Sequence, residues 1–256
     1  MNKEIVLTGS IVLFKENLSD LYVTIESFLN IPLQKKLFLI DNTSTRFFEY
    51  VFVDESIEYI PVESNIGFGS AHNKIINKIN NFSKYHLILN PDVTFEPKVI
   101  PNLVTELQKN ENIAMIAPKV LFLDGSHQYS CRRYPNVLEL IVRRFPFLRT
   151  IFRKVIYKGE YREKDLNKSF FAEYLTGCFQ LYTTNDFIKL RGFDERYFLY
   201  MEDVDICKKI DEFGKKKLYY PNEKIVHILK QGSSKNVNLF FRHLNSAYKY
   251  FLKWGF

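Results

Sequence analysis

The stretch Tyr85-His86-Leu87-Ile88-Leu89-Asn90-Pro91-Asp92-Val93 decides the fold. Its apolar run reads as a strand that stops at a proline turn, and a carboxylate, Asp92, follows the stop at once. Working outward, the same pattern recurs. Residues 5–14 read as a buried strand, Leu18–Leu29 as an amphipathic helix, 37–40 as a strand ending at Asp41, and 57–62 as another strand. Residues 69–79 predict a helix, with Ala71, Ile75, Ile76 and Ile79 at helical spacing. On the far side, Pro97 stands in the first turn of a helix through Gln108, where its missing N–H costs little. Residues 113–117 are a further strand. Strands alternating with helices predict an α/β fold, its mostly parallel central sheet flanked by helices on both faces.

The segment 131–168 breaks that pattern. Its core, RRYPNVLELIVRRFPFLRTIFRKVIYK at 132–158, places Arg132, Arg133, Arg143, Arg144, Arg149, Arg153, Lys154 and Lys158 among Val, Leu, Ile and Phe. It reads as an insertion containing a basic amphipathic helix. Regular elements then resume: strand material over 170–182, a short helix near 185–190, a helix over 202–213, strands near 217–220 and 225–228, and a final helix over 239–253.

The bulk numbers bound the reading. A chain of 256 residues suits one large α/β domain, alone or with a C-terminal extension. With 46% hydrophobic residues it can bury a full core, which excludes the disordered class. A net charge of +7 favours anionic partners such as phosphates, anionic lipid or nucleic acid. Cys131, Cys178 and Cys207 lack metal-ligand spacing and read as reduced thiols. The opening MNKEIVLTGSIVLF has no secretory signal pattern, and no apolar run reaches the ~20 residues of a membrane span. The expected location is the cytoplasm, or the periphery of the inner face of the cell membrane.

Polar groups gather at the C-terminal ends of the predicted strands, where open α/β sheets bind ligands. Asp41 and Asn42 follow one strand and Asp92 another. Between them lies NIGFGSAHN, Asn65 to Asn73, whose glycines permit tight turns and close approach to a ligand before a helix N-terminus. It matches neither a dinucleotide fingerprint nor a P-loop. Asp92 can hold a divalent cation through hard oxygen ligands, although Asn-Pro-Asp alone is ordinary turn chemistry. Glu202, Asp203 and Asp205 open a helix, where acidic residues favourably meet the macrodipole; one of them could equally serve as a general base. His227 follows an apolar strand. A lone histidine there is more often a packing residue, but beside a metal-binding Asp92 it becomes a candidate ligand.

Eight runs, in order, resemble the family 2 glycosyltransferases, in particular their rhamnosyltransferase-like branch: SIVLFKEN, LIDNTST, NIGFGSAHN, LILNPDV, APKVLFLDGSHQYSCRRYP, LTGCFQLYT, GFDERYFLYMEDVDICKKI and VHILKQGSS. The resemblance implies a GT-A fold. A nucleotide-sugar-binding half, about 1–118, would join an acceptor-binding half, about 119–256, with the basic insertion near 132–168. It implies donor binding by Asp41, Asn42, Asn65, Gly67, Gly69, His72, Asn73, Asn90 and Asp92, with Asp41 on a pyrimidine base. Asp92 and His227 would hold Mg²⁺ or Mn²⁺, Asp203 would be the catalytic base, and Glu202 would assist it. Where the family often has Thr-Tyr-Asn after the first strand, this chain has Leu13, Phe14 and Lys15.

The implied reaction is inverting transfer of a sugar from a nucleotide diphosphate to a saccharide or lipid-linked saccharide, in bacterial cell-surface polysaccharide assembly (capsule or O-antigen). dTDP-L-rhamnose is the first choice of donor, with UDP-galactofuranose or a UDP-hexose as the alternative. The basic segment 132–158 suggests docking on an anionic membrane; packing on the core or an oligomer contact is the plainer account. A non-catalytic nucleotide-sugar binder is the rival within the fold. A nucleic-acid binder is the rival outside it, but no recognised nucleic-acid motif is present and no nucleic-acid partner is expected.

Overall fold

The computed structural model describes residues 5–43, 45–228 and 237–255. The strands are β1 (Leu7–Leu13), β2 (Lys35–Asp41), β3 (Ile57–Pro61), β4 (Tyr85–Leu89), β5 (Val93–Thr94), β6 (Ile113–Leu121), β7 (Cys131–Arg132), β8 (Phe170–Phe171), β9 (Tyr174–Leu175), β10 (Phe179–Thr183) and β11 (Lys216–His227). The helices are α1 (Leu18–Leu29), α2 (Phe68–Asn73), α3 (Ile76–Ile79), α4 (Val99–Gln108), α5 (Val137–Arg144), α6 (Pro146–Ile151), α7 (Arg153–Gly159), α8 (Thr184–Lys189), α9 (Glu202–Glu212) and α10 (Val237–Trp254).

Among the described residues, nine strands form one sheet in the order β3-β2-β1-β4-β10-β6-β11-β5, with β8 against β11. The pairs β3-β2, β2-β1, β1-β4 and β6-β11 are parallel, and β10 runs antiparallel between β4 and β6. β7 and β9 form a separate ribbon. Apolar clusters cover both faces. Leu7, Leu21, Phe28, Leu37, Leu87 and Leu103 belong to one; Ile40, Ile75, Ile88, Tyr182, Phe193, Ile206 and Phe251 belong to the other. The sheet is buried on both sides, so its central strands read as continuous apolar runs rather than alternating ones.

Local grammar explains most boundaries. α1 starts where Asn17 Oδ1 accepts from Ser19 N at 2.8 Å, and it buries Leu21, Thr24, Ile25 and Phe28 at helical spacing. Three expectations change. The helix expected over 69–79 splits into α2 and α3, because the Asn73 side chain binds the Phe193 backbone on both sides (Nδ2 to O, 2.8 Å; Oδ1 from N, 2.9 Å). The next turn tightens into i−3 bonds. The helix expected in the insertion becomes α5, α6 and α7. Phe145 precedes Pro146, is driven out of the helical region to φ −107°, ψ 108°, and ends α5. The two strands expected over 217–228 are one strand, β11, whose register with β6 slips between Tyr220 and Lys224, around Pro221. The last expected run, VHILKQGSS, is described only as far as Ile228, and its remainder lies outside the described residues.

Candidate functional site

The first half of the site is built by β4 and the far end of the sheet. β4 ends at Leu89, Asn90 N donates to Cys178 O at 2.9 Å, and the chain turns through Pro91 and Asp92 into β5. β5 pairs antiparallel with the end of β11, so His227 stands opposite Val93, and Ile228 N donates to Asp92 O at 2.9 Å. This pairing carries His227 to the proline turn. His227 Nε2 lies 3.3 Å from Asp92 Oδ1 and 3.5 Å from Asn90 Nδ2. Asp92 is 7% exposed, and its Oδ1, although near the imidazole, has no hydrogen-bond partner.

His227 is held from behind by Gln128. Its Nδ1 lies 3.0 Å from Gln128 Oε1, while the Gln128 amide donates to His227 O and, at 3.3 Å, to Leu121 O. An amide oxygen can only accept, so Nδ1 carries the hydrogen and Nε2 is turned toward Asp92. Burial works against a charge on His227. Cys178 and the Asp92 carboxylate outweigh it and push the imidazole up to about 10.

The second half is the start of α9. Tyr200 and Met201 both take left-handed backbone, φ 69° and 70°, which side chains other than glycine rarely adopt. The double kink delivers Glu202 and Asp203 into the cleft at the positive end of the helix. Asp203 Oδ2 accepts from Gly177 N at 2.9 Å and Tyr174 Oη at 3.0 Å, and its Oδ1 accepts from Val204 N at 2.9 Å. Glu202 is 5% exposed, and its Oε2 has no partner. Burial raises both carboxyls, and for Glu202 the neighbouring Asp203 charge adds to it. Three donors face Asp203. Donors to a carboxylate favour its ionised form, so these contacts work against the effect of burial at Asp203, while Glu202 Oε2 has no such contact.

Both halves line one cavity of about 1680 Å³. Asn90, Cys178 and His227 line it together with Tyr174, Gly177, Glu202, Asp203 and residues of the insertion and α10, while Asp92 is reached through His227 and is not itself part of the lining. A metal fits here on the evidence of Asp92. A buried carboxylate oxygen stands 3.3 Å from the nitrogen of an imidazole whose other nitrogen Gln128 holds, so a cation bound there would replace the imidazole proton between them. Among the described residues no group of three or more His, Cys, Asp or Glu converges on a metal position. Among the described residues the pair Asp92 and His227 is what could hold a cation here, with oxygen and imidazole donors of the kind Mg²⁺ or Mn²⁺ accepts.

The remaining candidate residues are placed as follows. Asp41 is fully buried. Thr43 N and Oγ1 donate to its Oδ1 at 2.8 and 2.6 Å, and Tyr59 Oη donates to its Oδ2 at 2.6 Å. Asn42 Nδ2 donates to Asn65 Oδ1 and to Gly67 O, both at 3.1 Å, tying the end of β2 to the glycine loop. Gly67 has φ 93°, and a Cβ there would lie 2.3 Å from Phe198 O. At Gly69 a Cβ would meet Phe193 Cβ at 2.7 Å. This loop is therefore pressed onto the segment leading into α9, and Phe68, between the two glycines, reaches the cavity wall.

His72 does not reach that wall. It is wholly buried with Nδ1 2.7 Å from Ser10 Oγ, and that hydroxyl lies 3.1 Å from His86 Nε2. Burial, with His86 nearby, holds His72 well below its ordinary value, so it is a neutral internal strut. Asn73 is the clamp on Phe193 described above.

Sequence reasoning did not single out Gln128, Tyr174 or Gly177. Gln128 and Gly177 lie in runs quoted for the resemblance and Tyr174 directly precedes one, yet the role of each is a contact reaching 99, 26 or 29 residues along the chain. No local pattern encodes such a contact.

The mixed sheet flanked by helices is the GT-A form of the α/β class, and it is shared with solved glycosyltransferase structures. A structure of GalNAc-T7 with UDP, GalNAc and Mn²⁺ superposes with a TM-score of 0.65 at 16% identity, over 88% of this chain and 43% of that one. The mannosyltransferase PcManGT from Pyrobaculum calidifontis, in complex with GDP-Man and Mn²⁺, superposes at 0.59 and 13% identity, over 90% and 59%. The chain belongs to glycosyl transferase family 2, whose family model matches residues 10–190. Among curated proteins, the N-acetylglucosaminyl-diphospho-decaprenol L-rhamnosyltransferase of Mycobacterium tuberculosis (strain ATCC 25618 / H37Rv) is 26% identical over 182 residues, 67% of this chain. That match spans 59% of the relative's length. Rhamnosyltransferase WbbL of Escherichia coli (strain K12) is 25% identical over 193 residues, covering 72% of this chain and 69% of that protein.

Proposed function

We propose that this chain is an inverting, metal-dependent glycosyltransferase that moves a sugar from a nucleotide diphosphate to a saccharide or lipid-linked saccharide acceptor in bacterial cell-surface polysaccharide assembly. One observation carries the reading. A single cavity is lined by His227, whose Nε2 lies 3.3 Å from the buried Asp92 carboxylate, and by the carboxyls of Glu202 and Asp203. Such a site separates the two demands of the reaction, a place for a leaving anion and a base for an incoming hydroxyl.

In this reading Asp92 and His227 hold Mg²⁺ or Mn²⁺. When bound, the cation neutralises charge on the departing diphosphate. Asp203 accepts the proton of the acceptor hydroxyl as it attacks the anomeric carbon from the face opposite the leaving group, which inverts the centre. Tyr174 and Gly177 fix the carboxylate, and a raised pKa moves it toward the range where a base is effective near neutral pH. Asp41, Asn42, Asn65, Gly67 and Gly69 form the bonded ridge on which the donor's nucleoside would lie, and Asn90 stands beside the metal pair.

dTDP-L-rhamnose is the favoured donor, supported by the names of the two rhamnosyltransferase relatives. The Mycobacterium relative's name also carries a diphospho-decaprenol, which supports a lipid-linked acceptor. Among the described residues no helix is long and apolar enough to cross a membrane. We place the enzyme at the inner membrane surface, with 132–158 toward anionic lipid. The test is a donor screen: nucleotide release from dTDP-, UDP- and GDP-sugars, with Mg²⁺, with Mn²⁺ and with chelator. Release that ignores the chelator would remove the metal assignment. No release from any donor, with nucleotide still bound, would favour a non-catalytic binder.

A further inference from the structure

The cavity carries a second set of charges that the donor chemistry does not use. Arg144, Arg149, Arg153 and Lys154 all line it, and among the described residues none of them is paired with a carboxylate. The insertion's carboxylates are already committed elsewhere. Glu139 and Glu160 both close on Arg143, at 2.8 and 2.9 Å, and Glu160 also binds Arg162 at 2.6 Å. The guanidinium of Arg144 lies 4.5 Å from the centre of the Phe240 ring, and its Nε, although buried, has no hydrogen-bond partner. Among the described residues, four cations therefore line one cavity without carboxylate counter-charge.

The rim beside them is apolar. Ile141 and Phe145 on the insertion, and Leu244 and Tyr248 on α10, line the cavity while exposing 44%, 46%, 49% and 61% of their surface. A basic wall edged by an open apolar lip fits an anion that continues into hydrocarbon.

We propose that this wall is a binding site for the diphosphate of a prenyl-diphosphate-linked acceptor, with the prenyl chain leaving over the lip between the insertion and α10. The assignment rests on the glycosyltransferase reading above and names the acceptor class of that site. The two anions of the reaction are then held by different means. The donor diphosphate goes to the metal pair, and the acceptor diphosphate goes to guanidinium and ammonium groups, which suit a ligand whose charge does not change during transfer. The acceptor sugar, next to its own diphosphate, would lie between the basic wall and Asp203.

The test uses geranyl diphosphate, a soluble ten-carbon prenyl diphosphate, in calorimetric titration of the full chain. The comparison is R149A/R153A/K154A, three exposed positions whose replacement leaves the core intact. The expected result is saturable, salt-sensitive binding that weakens by about tenfold or more in the variant, as loss of several charge-assisted contacts implies. Geraniol should not bind, and Mn²⁺-dependent binding of dTDP should match wild type. Restoring charge with R149K/R153K/K154 retained should recover part of the affinity. Geranyl diphosphate that competes with dTDP, is lost in Asp92→Asn and ignores the triple variant would place the ligand in the donor site and overturn the proposal. So would binding only to vesicles containing phosphatidylglycerol, with no displacement by geranyl diphosphate, since that is headgroup docking. In either case dTDP binding would persist, so the acceptor site would fall without the enzyme reading.

Discussion

Gln128 offers the sharpest test of the metal pair, because its side chain holds the histidine through Nδ1 rather than meeting Asp92. In Gln128→Ala the 3.0 Å contact to His227 Nδ1 disappears, and so do the amide's bonds to His227 O and Leu121 O. The imidazole then loses its fixed tautomer and ring angle, while Asp92 and His227 both remain. Removal of a partner behind a metal-ligating histidine typically weakens metal affinity by about 10- to 100-fold, roughly 1.4–2.7 kcal/mol. Loss of the backbone bonds adds about 1 kcal/mol of destabilisation on its own. The assay must therefore separate the two effects. Activity is titrated with Mn²⁺ at fixed donor, and thermal unfolding is followed in parallel without metal. The half-saturating Mn²⁺ concentration should rise by about one to two decades. Turnover at saturating Mn²⁺ should return to within a few-fold of wild type. If the variant has wild-type Mn²⁺ dependence, or if its loss of activity cannot be recovered with more Mn²⁺, then Gln128 does not orient a ligand, and the case for His227 as one falls with it.

Three further outcomes follow from the same geometry. Asp203→Asn should lower turnover by about 10²- to 10⁴-fold with nucleotide affinity nearly unchanged; wild-type turnover would cancel its role as base. Gly67→Ala forces a side chain into left-handed backbone against Phe198 O, at a cost of about 1–3 kcal/mol from the backbone alone, and a melting scan should show Tm reduced by roughly 2–4 °C per kcal/mol. Glu202→Gln should flatten the pH dependence of stability. A carboxyl whose folded pKa lies above its unfolded value holds more protons in the folded state, so the folded state loses stability as pH rises from about the ordinary 4.5 through the raised value. Removing that group should make the neutral-pH protein more stable in urea melts, and an unchanged slope of stability against pH would show that Glu202 is not the buried proton carrier.

The sheet was legible in the sequence because it is buried on both faces. Tyr85–Leu89 and Leu18–Leu29 are read to the residue, since a short apolar run ending in Asn-Pro and an Asn-capped helical stripe both declare themselves locally. The same locality explains the misreadings. Ile75, Ile76 and Ile79 keep helical spacing, so nothing nearby reveals that Asn73 is pulled onto Phe193, 120 residues away, and divides the helix. Asp92 is visible as a carboxylate after a strand. That His227 belongs to it depends on β5, a two-residue strand too short to announce itself. His72 shares a loop with Gly67 and Gly69, and the resemblance groups it with them. Helical geometry instead turns its ring inward to Ser10.

Asp205 shows how the site is kept in place. By position it reads as one more acidic residue in a first helical turn. In the structure it is fully buried, and its Oδ1 receives Lys253 Nζ at 2.7 Å, Trp254 Nε1 at 2.8 Å and Tyr197 Oη at 3.1 Å. Lys253 also reaches Asp194 at 2.9 Å, and Ser246 Oγ donates to Leu199 O at 2.9 Å. α10 is thus fastened across both α9 and the segment that leads into it. The fastening has a physical reason. Two successive left-handed residues and a buried carboxylate pair each work against the folded state, by about 1–3 kcal/mol for each strained residue. A helix start carrying them would relax unless held from the side away from the cavity. The acidic triplet therefore divides its work by direction: Glu202 and Asp203 face the cavity, and Asp205 faces the clasp. The same α10 supplies the apolar lip of the basic wall. The Asp205 clasp therefore fixes α10, which carries Leu244 and Tyr248 of the cavity rim, against the helix start that carries Asp203.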